Sequence, residues 1–277
     1  MKNLFFIISL LCLIQNVCAQ YFSYRIDYEN LEKYTILDSA YLKCSYKLSY
    51  LQNDQNPNVV STDIQILLIG RNISKYYSQY ALDYNNFITD YLKKGHDAYP
   101  NPKEKGAWSF EVFKNYPREK ETVTDIASLL SGNFYYEEDL PFFGWKIYDE
   151  KQNILSYTCQ KATVSFRGRD FTAWFTADIP LPNGPWKFGG LPGLILKLYD
   201  SENNFIFECI GLEYLKQKEP IKFYQVEYEK VIRNDLMKTY KRFHEDFVGY
   251  MNTLGIEVDI SNGSSTLKLP YNPIELE

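Results

Sequence analysis

Two tryptophans and three cations lie within a short stretch of this chain: Arg167, Arg169, Trp174, Trp186 and Lys187. Aromatic faces attract cations and offer flat apolar area, while guanidinium and ammonium groups hold anions. On one concave surface, these five residues would bind a sugar, a peptide or an acidic ligand. Carboxylates offer a second chemistry. Glu137, Glu138 and Asp139 form the densest acidic run, and Asp178 stands at the mouth of a Pro-rich stretch. Two such acids meeting in three dimensions could hydrolyse a glycan or a peptide bond, whereas an acidic run by itself is a solvated face.

Other chemistries find too few residues. Serine- or cysteine-type hydrolysis needs a base beside its nucleophile, usually histidine. Here only His96 and His244 exist, and no Gly-x-Ser-x-Gly elbow accompanies them. Two isolated histidines and scattered cysteines do not make a zinc site, and no Asp-rich loop has calcium-binding periodicity. The glycines at 184–193 are broken by prolines and lack the Lys-Ser or Lys-Thr of a phosphate-binding loop. No metal and no cofactor is therefore expected, and binding ranks ahead of catalysis. The formal charge of −5, with no basic block, excludes the concentrated Lys and Arg that nucleic acid demands.

The elements that must position these residues are mostly strands. Tyr and Phe number 25 and 18, and both favour pleated, half-buried surfaces. Alternation of apolar and polar residues marks strands at 22–28 and 42–50, and an apolar run at 63–69 suits a central strand. Further strands are predicted at 108–113, 121–126, 134–138, 145–148, 154–166, 171–176, 194–199, 205–212 and 222–229. Arg167, Gly168, Arg169 and Asp170 form a tight hairpin turn between two of them. Apolar residues three and four apart predict helices over 79–95 and 233–252, the second ending at Gly255. The fold class is mainly β, an α+β arrangement of antiparallel strands with two helices packed on or beside the sheet. No internal repeat and no change of composition marks a boundary.

Between 159 and 195 the sequence carries a more specific pattern. Cys159, Lys161, Ala162 and Thr163 are followed by Phe166, Arg167, Gly168 and Arg169, then by Ala173, Trp174, Phe175 and Thr176. Ile179, Pro180, Gly184, Pro185, Trp186, Lys187 and Phe188 lead to the hexapeptide Gly190, Leu191, Pro192, Gly193, Leu194, Ile195. In these elements, their order and their spacing the chain resembles the GLPGLI family of exported bacterial proteins, a family without an established activity. The closing Asn272, Pro273, Ile274 and Glu275 and the early strand at 22–28 fit as well, so the likeness runs through nearly the whole mature chain. The resemblance implies a secreted or cell-envelope protein with a strongly curved, bowl-like or half-barrel sheet. It also implies a distant likeness to the bowl-shaped amino-terminal module of some bacterial peptide-N-glycosidases, and hence a binding or interaction module. Read physically, the hexapeptide is first architecture: its glycines permit close backbone approach, and prolines 180, 182, 185 and 192 stiffen a crossover that delivers Leu194 to the core.

The first nineteen residues read as a secretory signal peptide. Lys2 precedes an apolar core of about eleven residues, roughly half the ~20 a membrane-spanning helix needs, and Val17, Cys18 and Ala19 suit cleavage before Gln20. Residues 20–277 are then a single β-rich domain of about 258 residues, periplasmic or secreted, without a transmembrane anchor once the signal is removed. Its partner would be an envelope protein, a peptide or a glycan. Cys44, Cys159 and Cys209 survive maturation; whether any two pair is left open.

Overall fold

The computed structural model describes residues 31–95, 109–128, 130, 132–255, 258 and 266–277. The expected signal peptide, the expected strand at 22–28, His96 and Trp108 lie outside the described residues. The chain divides into two compact units. Among the described residues, one comprises 31–232 with Asn272–Glu277, the other Arg233–Tyr271.

Among the described residues, the larger unit has a twelve-stranded sheet: β1 Tyr34–Leu51, β2 Val60–Ile69, β3 Ser74–Ser78, β4 Phe110–Lys114, β5 Lys120–Ser128, β6 Gly132–Asp139, β7 Lys146–Ile154, β8 Tyr157–Phe166, β9 Arg169–Thr176, β10 Leu194–Asp200, β11 Phe205–Tyr224 and β12 Glu229–Lys230. The strand order is β12-β6-β5-β4-β3-β2-β1-β11-β10-β9-β8-β7, so the sheet is open, with β12 and β7 at its edges. Two meanders account for it. β1 to β6 step outward in one direction, and β7 to β11 step back inward until β11 pairs with β1. Every pairing is antiparallel except the two-residue β12, which runs parallel to β6. Helix α1, Gln79–Lys93, packs against β2 and β3.

Alternation places the core. In β1, Leu42, Cys44, Tyr46 and Leu48 are fully buried on one face, and Phe207 opposite Leu48 continues it. Across β9 the same face carries Phe171, Ala173 and Phe175, which are buried, while Thr172 and Trp174 turn the other way and are half-buried. The exposed edge strand β7 carries Lys146, Asp149, Glu150 and Lys151, charges that discourage pairing with another chain.

Several predicted boundaries move. The run at 154–166 is not one strand: Leu155 and Ser156, at φ 48° and 70°, turn β7 into β8. Neither residue is a usual turn former at positive φ, so no signal for the turn existed. β11 extends through Pro220 to Tyr224, because register shifts in its pairing with β1 accommodate the missing donor; of the separate strand predicted at 222–229 it takes only 222–224, residues 225–228 have no regular structure, and Glu229 opens β12. The smaller unit has two helices where one was predicted, α2 Arg233–Glu245 and α3 Phe247–Thr253, giving three described helices rather than two. Asp246 makes the break. Its side chain caps α3 by accepting from the Gly249 amide, and Gly255 follows the helix at φ 73°. Among the described residues no helix is long and apolar enough to cross a membrane.

Candidate functional site

The crossover from β9 to β10, residues 177–193, is held from every side. Leu194 and Ile195 donate their amides to the carbonyls of Ile179 and Asn183, and Gly190 donates to Pro182. Gly193 approaches Thr176 so closely that a Cβ there would lie 2.0 Å from its carbonyl oxygen, so only glycine fits. Lys114 of β4, buried, spends all three of its protons on this crossover. It donates to the side chain of Asn183 at 2.9 Å and to the carbonyls of Gly184 and Phe188 at 2.8 and 2.7 Å. Trp145 donates to the Gly189 carbonyl, the Tyr46 hydroxyl to that of Ile195, and Phe188 packs among Phe143, Phe166 and Phe171. Leu191, Leu194 and Ile195 are buried, as a stiff crossover requires.

Lys187 sits at the tip of this crossover with its side chain 0% exposed. Its ammonium contacts Glu138, lies 3.1 Å from one Glu275 oxygen, and is 3.5 Å from Glu121. Burial works against its charge, but Tyr136, Glu275, Glu121 and Glu138 outweigh it and hold its pKa well above the usual lysine range. The register explains the acids. Lys114, Glu121 and Glu138 are cross-strand neighbours on β4, β5 and β6, so their side chains share one face. Glu121 is 0% exposed, and among the described residues no donor reaches its oxygens within hydrogen-bond distance and geometry, Lys187 standing 3.5 Å away. Burial raises its pKa, with Lys187 opposing and Glu138 reinforcing, while burial also lowers that of Lys114.

Trp186 stands next to Lys187, only 4% exposed and at φ 51°, a conformation that bulky residues rarely adopt. Its indole donates to Glu275 at 2.8 Å, and its ring meets Tyr76 and Phe110 edge-on. Arg167 and Gly168, both at positive φ, form the two-residue turn between β8 and β9. The Arg167 guanidinium, its side chain 32% exposed, donates to Glu138 at 2.9 Å. Arg169 is buried. It donates to Asp200 at 3.1 Å, to the Asn272 side chain at 2.5 Å and twice to the Pro273 carbonyl.

Trp174 is elsewhere. It faces away from Phe171 and Phe175, in a cross-strand row with Lys161 on one side and Lys197 on the other. With Gln152, Lys197, Tyr199, Asn203 and Ile206 it lines an open depression of about 300 Å³. Lys161 pairs with Glu150 at 2.9 Å and Lys197 with Glu208 at 2.8 Å, whereas the Trp174 indole makes no hydrogen bond or ring contact among the described residues. The five residues expected on one surface are thus divided. Four gather around segment 272–277, and alternation along β9 puts Trp174 on the opposite face.

In the sequence Glu138 stands out only as part of an acidic run, and nothing in the sequence singles out Lys114 or Glu121. Glu275 had a signal in the closing Asn-Pro-Ile-Glu. Of the other acids, Glu137 pairs with Lys230 at 2.6 Å, while Asp139 and Asp178 are exposed. His244 stacks on Tyr271 and bonds to the Tyr240 carbonyl through Nδ1; burial lowers its pKa. Cys44, Cys159 and Cys209 are free and buried, and burial pushes the last two up to about 11 and about 12. Among the described residues no three His, Cys, Asp or Glu side chains are grouped to hold a metal ion.

Residues 166–197 match a family described as a protein of unknown function, Porph_ging. The match covers the β8–β9 turn, β9 and the crossover, and supports a likeness to a family of unknown function there, without bearing on the GLPGLI name. No curated protein matches the chain. Among solved structures, PNGF-II in its P21 and C2 crystal forms is similar, at 16% and 13% identity and a TM-score of 0.46 in each case. The similarity covers 72% and 74% of this chain, which spans about a third of the length of PNGF-II.

Proposed function

We propose that this chain is an exported, extracytoplasmic binding protein whose working surface is the outer face of β7 to β11, centred on Trp174. One observation carries the reading: Trp174 is a half-buried indole with no partner among the described residues, beside Tyr199 and the amides of Gln152 and Asn203 in an open depression. Flat aromatic area with polar groups at its rim suits the faces and hydroxyls of sugar rings, so a glycan is the proposed ligand. Buried Trp186, Lys187 and Arg169 serve the interior instead, and Arg167 closes its edge.

A strongly curved sheet belongs to this proposal. β6 and β7 stand ten strand spacings apart in the order, about 48 Å on a flat sheet. Yet Asp139 and Lys146 are seven residues apart in the chain, a reach of about 25 Å at most. Arg167 and Lys187 from one meander also meet Glu138 of the other. Both observations support curling toward a bowl or half-barrel, with the crossover filling the concave side. Hydrolysis by paired carboxylates would draw on Glu121 and Glu138, but the first lies fully buried next to Lys187, where no substrate reaches.

Affinity electrophoresis against a panel of soluble bacterial polysaccharides tests the reading. The protein is retarded by at least one, and Trp174→Ala abolishes that retardation while leaving the melting temperature within a few degrees. Retardation that survives in folded Trp174→Ala places the ligand elsewhere.

A further inference from the structure

Four of the residues singled out as ligand-binding already hold a peptide, and that peptide is the chain's own segment Asn272–Glu277. The chain leaves the larger unit at Ile232 and returns to it at Asn272. The returning segment has no regular structure and pairs with no strand; side chains read it one residue at a time. Arg169 donates through one nitrogen to both the Asn272 side chain and the Pro273 carbonyl, and through Nε to Pro273 again. Asn272 in turn donates to the Leu51 carbonyl at 2.8 Å. Ile274 is buried. The Glu275 carboxylate accepts from the Trp186 indole at 2.8 Å and meets Lys187 at 3.1 Å, and the Leu276 amide donates to the Arg167 carbonyl at 2.8 Å.

Charge-assisted donors aimed at a carboxylate, with a guanidinium fork on an amide and a carbonyl, are the means by which proteins recognise extended acidic peptides. The clamp is also built at a conformational cost, since Arg167 and Trp186 both adopt positive φ, and strain of this kind concentrates at ligand clamps. We propose that Arg167, Arg169, Trp186 and Lys187 form a recognition socket for the sequence Asn-Pro-Ile-Glu. Segment 272–277 is its resident ligand, kept there by its tether, and the socket accepts the same sequence from a separate molecule once that tether is cut. This site is independent of the Trp174 face, and its failure leaves that reading untouched.

The test uses the full chain, folded first. A protease site inserted between Tyr271 and Asn272 is cleaved in the native protein, and fluorescein-labelled Asn-Pro-Ile-Glu-Leu-Glu is added in excess. The protein stays folded and takes up the labelled peptide saturably. Peptides carrying Glu275→Gln or Asn272→Ala compete at least tenfold less well than the unlabelled parent, and the uncut protein takes up none. Three outcomes would overturn the proposal: unfolding on cleavage, which makes the segment a covalent part of the core; no uptake by the cleaved, folded protein; or equal competition by the Glu275→Gln peptide.

Discussion

Lys187 exchanges all its water for three carboxylates and the Tyr136 ring, and removing it would leave those acids buried without a counter-charge. Breaking a buried pair from one side costs about 3–5 kcal/mol, so Lys187→Met should lower the melting temperature by roughly 10 °C or more in a calorimetric scan. Asp38 is a milder case. Partial burial would raise its pKa, but the amides of Asn72, Ile73, Ser39 and Arg71 outweigh burial and hold it below its ordinary value of 3.8. A depressed carboxylate stabilises the fold above its unfolded pKa and loses that contribution as pH falls through the folded one. Asp38→Asn should therefore cost about 1–2 kcal/mol near neutral pH, with the gap to the parent closing below about pH 4 in urea titrations. At this scale the sequence was least legible. Lys114 and Glu121 occupy positions where alternation predicts a face but not its burial, and a charged residue in a short strand reads as solvent-facing until the crossover that covers it is known.

Among elements, the hairpin between β7 and β8 turns on two residues poorly suited to it. Leu155 and Ser156 both adopt positive φ, where a side chain crowds the backbone and glycine or asparagine is favoured. Replacing the pair by Leu155→Asn and Ser156→Gly should raise stability by about 1 kcal/mol, read as a shift of the denaturation midpoint without a change in its slope. The same unsuitability explains why the turn escaped the sequence reading. Where glycine took one of the two positive-φ positions, as at Gly168 after Arg167, the hairpin could be read directly. Asp246 taught the converse: a single apolar stripe ran through 233–252, yet a capping aspartate broke the helix in the middle, because a capping residue looks the same as a solvated one in the stripe's polar face.

For the whole molecule, the β-rich class was legible in the aromatic content, in alternation along β1 and in the hairpin turn that leads into β9. The strand order was not, because it depends on β11 pairing with β1 across more than 150 residues of sequence. That pairing brings the two meanders together and decides which aromatic faces outward. Trp174 and Trp186 are twelve positions apart and chemically identical, yet the first is half-buried on the outer face and the second lies in the interior. The most direct measurement is polysaccharide retardation of folded Trp174→Ala, set beside the melting temperature of Trp186→Ala. Trp174→Ala should melt like the parent and lose retardation, while Trp186→Ala should be destabilised by about 3–5 kcal/mol. A folded Trp174→Ala that binds as the parent does, or a Trp186→Ala that melts unchanged, would contradict this division of roles.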